Sequence, residues 1–203
     1  MTFDEKAKSW DTEERIKRAE KTAEYLIAKF NIDNSKELFE LGSGTGILAI
    51  ILAETAGRIT VSDSSKGMLE ELNKKLEICS IKNIETLYFD IEKEEGLADR
   101  YDLIYSSMVL HHIEDIGNTA KKMYNMLKLN GKVAMIDLFK EDGTFHKDNS
   151  GIKHFGFSKE EITGYFEKAG FKNIEVIEFE RMDRITEDGN KKEYPIFLLS
   201  AEK

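Results

Sequence analysis

The sequence predicts an α/β fold: a three-layer sandwich in which a mostly parallel sheet of seven strands, the last of them antiparallel, carries helices on both faces. Three observations lead there. Strand-like and helix-like segments alternate from residue 37 to residue 168, a glycine-rich turn joins the first strand to the helix after it, and two strand-like runs close the chain with no helix between them. Such alternation builds parallel strands joined by helical crossovers, whereas two consecutive strands pair antiparallel at one edge.

Taken in order, residues 11–30 carry Ile16, Ala19, Ala23, Leu26, Ile27 and Phe30 at helical spacing, with Asp11 or Thr12 as N-cap. This amphipathic helix has an apolar stripe that must cover something. Strands follow over 37–41, 58–62, 85–89, 101–106 and 132–138, with helices over 47–55, 66–79, 116–127 and 159–168. The closing strands are 171–179 and 194–201, separated by the polar turn Glu187-Asp188-Gly189-Asn190. The single proline, Pro195, is expected at a strand start, where its missing donor is tolerated. Residues 1–35 read as a helical cap segment and 36–203 as the ligand-binding part, one domain in all, as 203 residues allow.

Thirty basic against 39 acidic side chains give a net charge of −9, which disfavours nucleic acid as a partner. The pairs Lys74-Lys75, Lys121-Lys122 and Lys191-Lys192 read as solvated helix faces or turns. No apolar run approaches the roughly 18 residues of a membrane span, and Met1-Thr2-Phe3-Asp4-Glu5-Lys6 lacks the apolar core of a secretory signal. The expectation is a cytoplasmic monomer or homodimer. One cysteine, Cys79, leaves no internal disulfide and no thiolate metal cluster.

The most informative stretch is E-L-G-S-G-T-G, from Glu40 to Gly46, between the apolar Leu38-Phe39 and the apolar block that starts at Ile47. Glycines at alternate positions let the backbone take positive φ and approach a ligand, and the helix behind them offers N–H groups. A nucleotide-like cofactor follows. Ile47 stands where a dinucleotide fingerprint needs its third glycine, and Ile47-Leu48 stand where a P-loop needs Lys and Ser/Thr. Asp63 ends the next strand at the distance where a carboxylate can take both hydroxyls of a ribose. Asp63, Ser64 and Ser65 can equally cap the helix at Lys66.

An acidic residue opening E/D-x-G-x-G-x-G resembles the signature of class I, Rossmann-like, S-adenosylmethionine-dependent methyltransferases. The resemblance runs through residues 36–203, with Glu40, Gly42, Gly44 and Gly46 matching position by position. It implies S-adenosyl-L-methionine as cofactor and S-adenosyl-L-homocysteine as product, with Glu40, Leu41, Gly42, Ser43, Gly44 and Gly46 around the methionine part. It further implies Asp63 and Ser64 at the ribose, Asp90 at the adenine amino group, Ile91 and Met68 against the ring, and Ser106 and Ser107 with Met108 near the transferred methyl. The last strand is expected between the fifth and sixth.

Y-D-L-I-Y-S-S-M-V-L-H-H-I, with L-H-H-I after the fourth strand, resembles the small-molecule branch of quinone- and sterol-type methyltransferases. A D/N-P-P-Y/F motif is absent, and Cys79 lies on a predicted helix rather than at a strand end. The lone cysteine also excludes a cluster for radical use of the cofactor. His111 and His112, and His146 and His154 in the later loop, face the same crevice and are candidate general bases. With Asp137, Glu141 and Asp142 they could reach a metal, but no pair has ligand spacing, so none is expected. Phe145, Phe155 and Phe157 either line the acceptor pocket or pack the loop, and Trp10 is expected near the entrance of a lid formed by the N-terminal helix and the 139–157 loop. The reading is methyl transfer to a small-molecule acceptor. A protein that binds the cofactor without catalysis would carry the same motifs, and a nicotinamide reductase is disfavoured by the glycine spacing and the lack of Tyr-x-x-x-Lys.

Overall fold

The computed structural model describes residues 2–96, 98–186 and 189–203; Met1, and Glu187 and Asp188 of the expected turn, lie outside the described residues. A short α1 (Phe3–Lys6) and a 3-10 turn, Ala7–Ser9, precede α2 (Glu13–Phe30). Then come β1 (Glu37–Leu41), α3 (Ile47–Leu52), β2 (Arg58–Asp63), α4 (Lys66–Ile78), β3 (Ile84–Tyr88) and β4 (Tyr101–Ser107). The 3-10 turn Leu110–His112, α5 (Ile116–Met126), β5 (Leu127–Leu138), α6 (Lys159–Ala169), β6 (Lys172–Ile185) and β7 (Lys191–Glu202) complete the chain.

The seven strands form one sheet in the order β3-β2-β1-β4-β5-β7-β6. β1 to β5 pair in parallel, and β7 runs antiparallel between β5 and β6, so the expected insertion of the last strand is what the sheet contains. Strand alternation divides the core. Leu38, Val61, Leu103 and Ile136 pack with Ala23 and Leu26 of α2 and with α3 and α4 on one face. Phe39, Ile104, Met135 and Leu199 pack with α5 and α6 on the other.

Local chemistry fixes where the helices start. Thr12 accepts the Arg15 N–H, with Glu13 and Glu14 at the positive end of the α2 dipole. Ser158 and Glu161 form a capping box on α6, which ends at Gly170 with φ +106°.

The departures from expectation lie at element ends. α3 stops at Leu52 rather than at 55. β5 begins directly after α5, at Leu127, and its ladder with β4 slips between Tyr101 and Leu103. β6 and β7 continue as a hairpin through Arg184↔Lys192 and Ile185↔Lys191, beyond the last β5 partner, Leu138. Pro195 therefore lies inside β7 rather than at its start. Its carbonyl accepts the N–H of Phe139, one residue past β5, and a strand residue's N–H and C=O share a side, so the missing donor falls where the ladder ends. Among the described residues no helix is long and apolar enough to cross a membrane.

Candidate functional site

The glycine turn leaves β1 at the carboxyl edge of the sheet, near its middle, where open α/β sheets bind ligands. Ser43 donates its N–H to Ser62 O at 2.8 Å, which ties the turn to β2. Gly42 sits at φ +67°, and a Cβ there would lie 2.5 Å from Val109 Cγ2, so the loop after β4 rests on glycine backbone. Asp63, last residue of β2, reaches into the turn: Oδ2 accepts the Gly44 N–H at 2.7 Å and Oδ1 the Ser65 N–H at 2.8 Å. Burial raises its pKa, against these two N–H donors. Ser65, not Ser64, caps α4, by accepting the Met68 N–H at 3.2 Å; Ser64 is exposed and Met68 fully buried.

Glu40 is turned under this cradle. Its side chain is buried, Tyr105 donates its hydroxyl to Oε2 at 3.2 Å, and the backbone N–H of Ala49 in α3 donates to the carboxyl as well. Burial, augmented by the charge of Asp63, pushes its pKa up to about 8. One N–H of the helix behind the glycines is thus taken by the chain's own acid. Leu41 O accepts the Ser106 hydroxyl at 2.9 Å, so that serine faces the backbone of β1, while Ser107 is half-buried at the strand end. Ser43 Oγ is buried without a hydrogen-bond partner among the described residues.

Beyond β3, Asp90 Oδ1 accepts the Glu92 N–H at 3.1 Å and Oδ2 pairs with Lys93 at 2.7 Å, a hydrogen bond that lowers its pKa. Ile91 is buried against α5. Lys122, read from sequence as part of a solvated face, is instead buried: its amine donates to Ile91 O and Glu94 O, both at 2.8 Å, and pins the turn after β3. The run of neighbouring lysines hid this, because helical phase puts adjacent residues about 100° apart.

The N-terminal segment lies across the cradle. Asp4 Oδ1 accepts the Ser65 hydroxyl at 2.5 Å and the Gly67 N–H at 2.8 Å, and Asp11 binds the Thr45 hydroxyl and Lys75. The indole of Trp10 lies over Gly44, with Nε1 3.4 Å from a Cβ built there, and the Arg15 guanidinium stacks on the indole at 3.8 Å.

Three of the four histidines meet. The His111 ring centroid lies 4.2 Å from His112 and 4.9 Å from His146, and Phe3 of the N-terminal segment sets its edge 5.3 Å from His112. His111 is buried with Nδ1 2.7 Å from Oδ1 of Asp137, itself fully buried near the end of β5. Burial lowers the His112 pKa, the neighbouring His111 adding to it. Burial, then His111 and His112, lowers His146 to about 4. His154 faces elsewhere, its ring against Phe157 and Nε2 3.3 Å from Glu114 O. Phe145 and Phe157 are buried and Phe155 is exposed. No group of three His, Cys, Asp or Glu among the described residues could hold a metal. Tyr105 was not assigned from the sequence, and Asp137 was named only as a group that could reach a metal; Tyr105 sits on the strand next to that of Glu40, and Asp137 on the strand next to the one that His111 follows, so neighbouring strand ends were the available signal.

A family model described as a methyltransferase domain matches residues 12–176. The chain is 27% identical over 155 residues to an uncharacterized methyltransferase of Schizosaccharomyces pombe, covering 69% of this chain and 55% of that protein. It is 30% identical over 138 residues to the malonyl-[acyl-carrier protein] O-methyltransferase of Acetivibrio thermocellus, covering 66% of this chain and 47% of the relative. The chain spans about half the length of these curated relatives. A SAM-dependent methyltransferase from Aquifex aeolicus shares the fold, with a TM-score of 0.73 over 98% of this chain and 97% of that one at 18% identity.

Proposed function

This chain belongs to the methyltransferase-domain family, and on that premise we propose that it moves a methyl group from S-adenosyl-L-methionine to a small-molecule acceptor, leaving S-adenosyl-L-homocysteine. One observation carries the reading: the carboxylate of Asp63 touches Gly44 from 19 residues along the chain, so an acid suited to a ribose lies against a glycine backbone. The residues present fit such a cofactor. A side chain at Gly42 would fill the space taken by the loop after β4, and Ser43 keeps a buried hydroxyl with no partner among the described residues.

Asp63 and Ser64 would hold the ribose, and Leu41 to Gly46 with Glu40 beneath them the methionine part. Asp90, Ile91 and Met68 would hold the adenine, with Ser106 and Ser107 toward the methyl. The bound cofactor supplies an electrophilic methyl on a sulfonium. The protein's own work is then to position the acceptor, exclude water and accept a proton. Residues 1–35, which bring Asp4 and Trp10 onto the cradle, serve as the water-excluding cap over a single binding domain. The relative from Acetivibrio thermocellus is named for O-methylation of malonyl-acyl-carrier protein, which supports methyl transfer by this chain.

Asp63→Ala tests the reading by calorimetry with S-adenosyl-L-methionine. Loss of charged hydrogen bonds of about 1.5–3 kcal/mol should weaken binding roughly 10- to 100-fold. Unchanged affinity would remove Asp63 from the ribose and take the main support of the proposal with it.

A further inference from the structure

The imidazole cluster goes further than a choice among four histidines. Asp137 is fully buried near the carboxyl end of β5, and its side-chain partner among the described residues is His111. The Leu138 N–H at 2.7 Å and the His111 N–H at 3.3 Å hold the carboxylate in place. Burial pushes the Asp137 carboxyl up, but the His111 imidazole outweighs it and the acid stays below its ordinary range. An ionised carboxylate only accepts, so the hydrogen between them belongs to His111 Nδ1. In the uncharged ring the lone pair is then on Nε2, which is buried and has no partner among the described residues, an arrangement that costs free energy unless a donor arrives.

The neighbours sharpen the assignment. His112 and His146 are both held toward the neutral form, and neither has a carboxylate hydrogen-bonded to its ring. Asp137 favours a cation on both, but burial and His111, with Lys6 at His112 and with His112 and Arg184 at His146, outweigh it. Of the three rings, His111 is the one with the carboxylate hydrogen-bonded to it. Val109, two residues earlier, rests on Gly42, so the loop bearing His111 is braced against the proposed methyl-donor cradle.

We infer that His111 Nε2 is the proton acceptor of the reaction, that Asp137 is its positioning residue, and that the methyl acceptor carries its nucleophile as X–H, such as a hydroxyl, enol or neutral amine, rather than as a carboxylate. The inference rests on the methyl-transfer reading above. As the X–CH3 bond forms and the donor S–CH3 bond breaks, the X–H electron pair stays on X and the proton passes to Nε2. The imidazolium lies beside Asp137 and loses its proton to water after the product leaves. A carboxylate acceptor, already ionised at neutral pH, would have no use for this dyad.

Long-range proton–nitrogen spectra of protein labelled at the histidine ring nitrogens test the dyad without turnover. Wild type should show His111 as the Nδ1–H tautomer. Asp137→Ala removes the acceptor from Nδ1 and should release the ring from the Nδ1–H tautomer, with the calorimetric affinity for S-adenosyl-L-methionine retained. An Nε2–H ring in wild type, or an unchanged Nδ1–H ring in the variant, overturns the dyad, and the wild-type spectrum alone decides if Asp137→Ala fails to fold. The acceptor class is read with methyl-labelled cofactor and a panel of small hydroxyl, enol, amine and carboxylate compounds. Label that survives mild alkali, as an ether or N-methyl does, supports the inference, whereas label released as methanol marks a methyl ester and overturns it. Cofactor bound without any transfer would instead sink the methyl-transfer reading itself.

Discussion

Glu40 and Asp137 are both buried acids near strand ends, 3% and 0% exposed, yet they settle in opposite charge states. Glu40, with a phenol and the carboxylate of Asp63 for neighbours, is pushed up to about 8 by burial and keeps its proton at neutral pH. Asp137 suffers the same desolvation but faces an imidazole and two backbone donors, and it is held below its ordinary value. Burial sets the penalty and the partner decides whether it is met by losing charge or by pairing it. In the cradle this gives a neutral floor beneath the turn, and in the imidazole cluster a fixed negative charge.

The contrast breaks most visibly at Asp137. Asp137→Ala leaves the Nδ1–H of His111 buried without an acceptor, and removing one member of a buried pair costs about 3–5 kcal/mol in urea unfolding. A loss under about 1 kcal/mol, the range of an exposed pair, would mean that the carboxylate is not paired as described.

Glu40→Gln comes next, and its effect depends on pH. Between 4.5 and about 8 the folded state holds a proton on Glu40 that the unfolded chain has released. Stability therefore falls as pH rises through that window, by up to about 1.4 kcal/mol per unit, and the glutamine variant lacks this slope. Thermal melts of the two proteins across the window read the difference, in which the opposite slope from His146 cancels. Equal slopes would move the titration away from Glu40. Asp137 has the other sign, its contribution being present above 3.8 and lost as pH falls through its folded value, so the two acids act in separate ranges.

The smallest change is Gly42→Ala. A methyl group at φ +67°, 2.5 Å from Val109, forces the loop after β4 off the turn, and such overpacking costs about 1–3 kcal/mol. Cofactor affinity should fall together with stability. Full stability would show that the loop yields freely, and would detach the imidazole cluster from the cradle.

The cradle was readable before the fold because its parts are close in sequence. Asp63 reaches Gly44 across 19 positions, and the glycines declare themselves through conformations other residues avoid. The parallel sheet followed from the alternation of elements and the antiparallel edge from the helix-free ending, while the place of the last strand between the fifth and sixth was what the family resemblance implied. Element ends were less legible. The expected strands stopped at 179 and resumed at 194, yet residues 180–185 and 191–193 extend both as a hairpin in which Met182 is buried opposite Tyr194. Lys122 looked solvated, since composition does not report which way one helical residue turns.

By itself, then, the sequence determined the layered sheet, the glycine turn and the acid that answers it, because each depends on backbone conformation or periodicity expressed within a short stretch of chain. Tertiary structure alone decided that His111 rather than His154 meets a carboxylate, that Asp137 keeps its charge and that Glu40 does not. Those outcomes depend on distances and desolvation among side chains 26 or more residues apart, which no local pattern encodes.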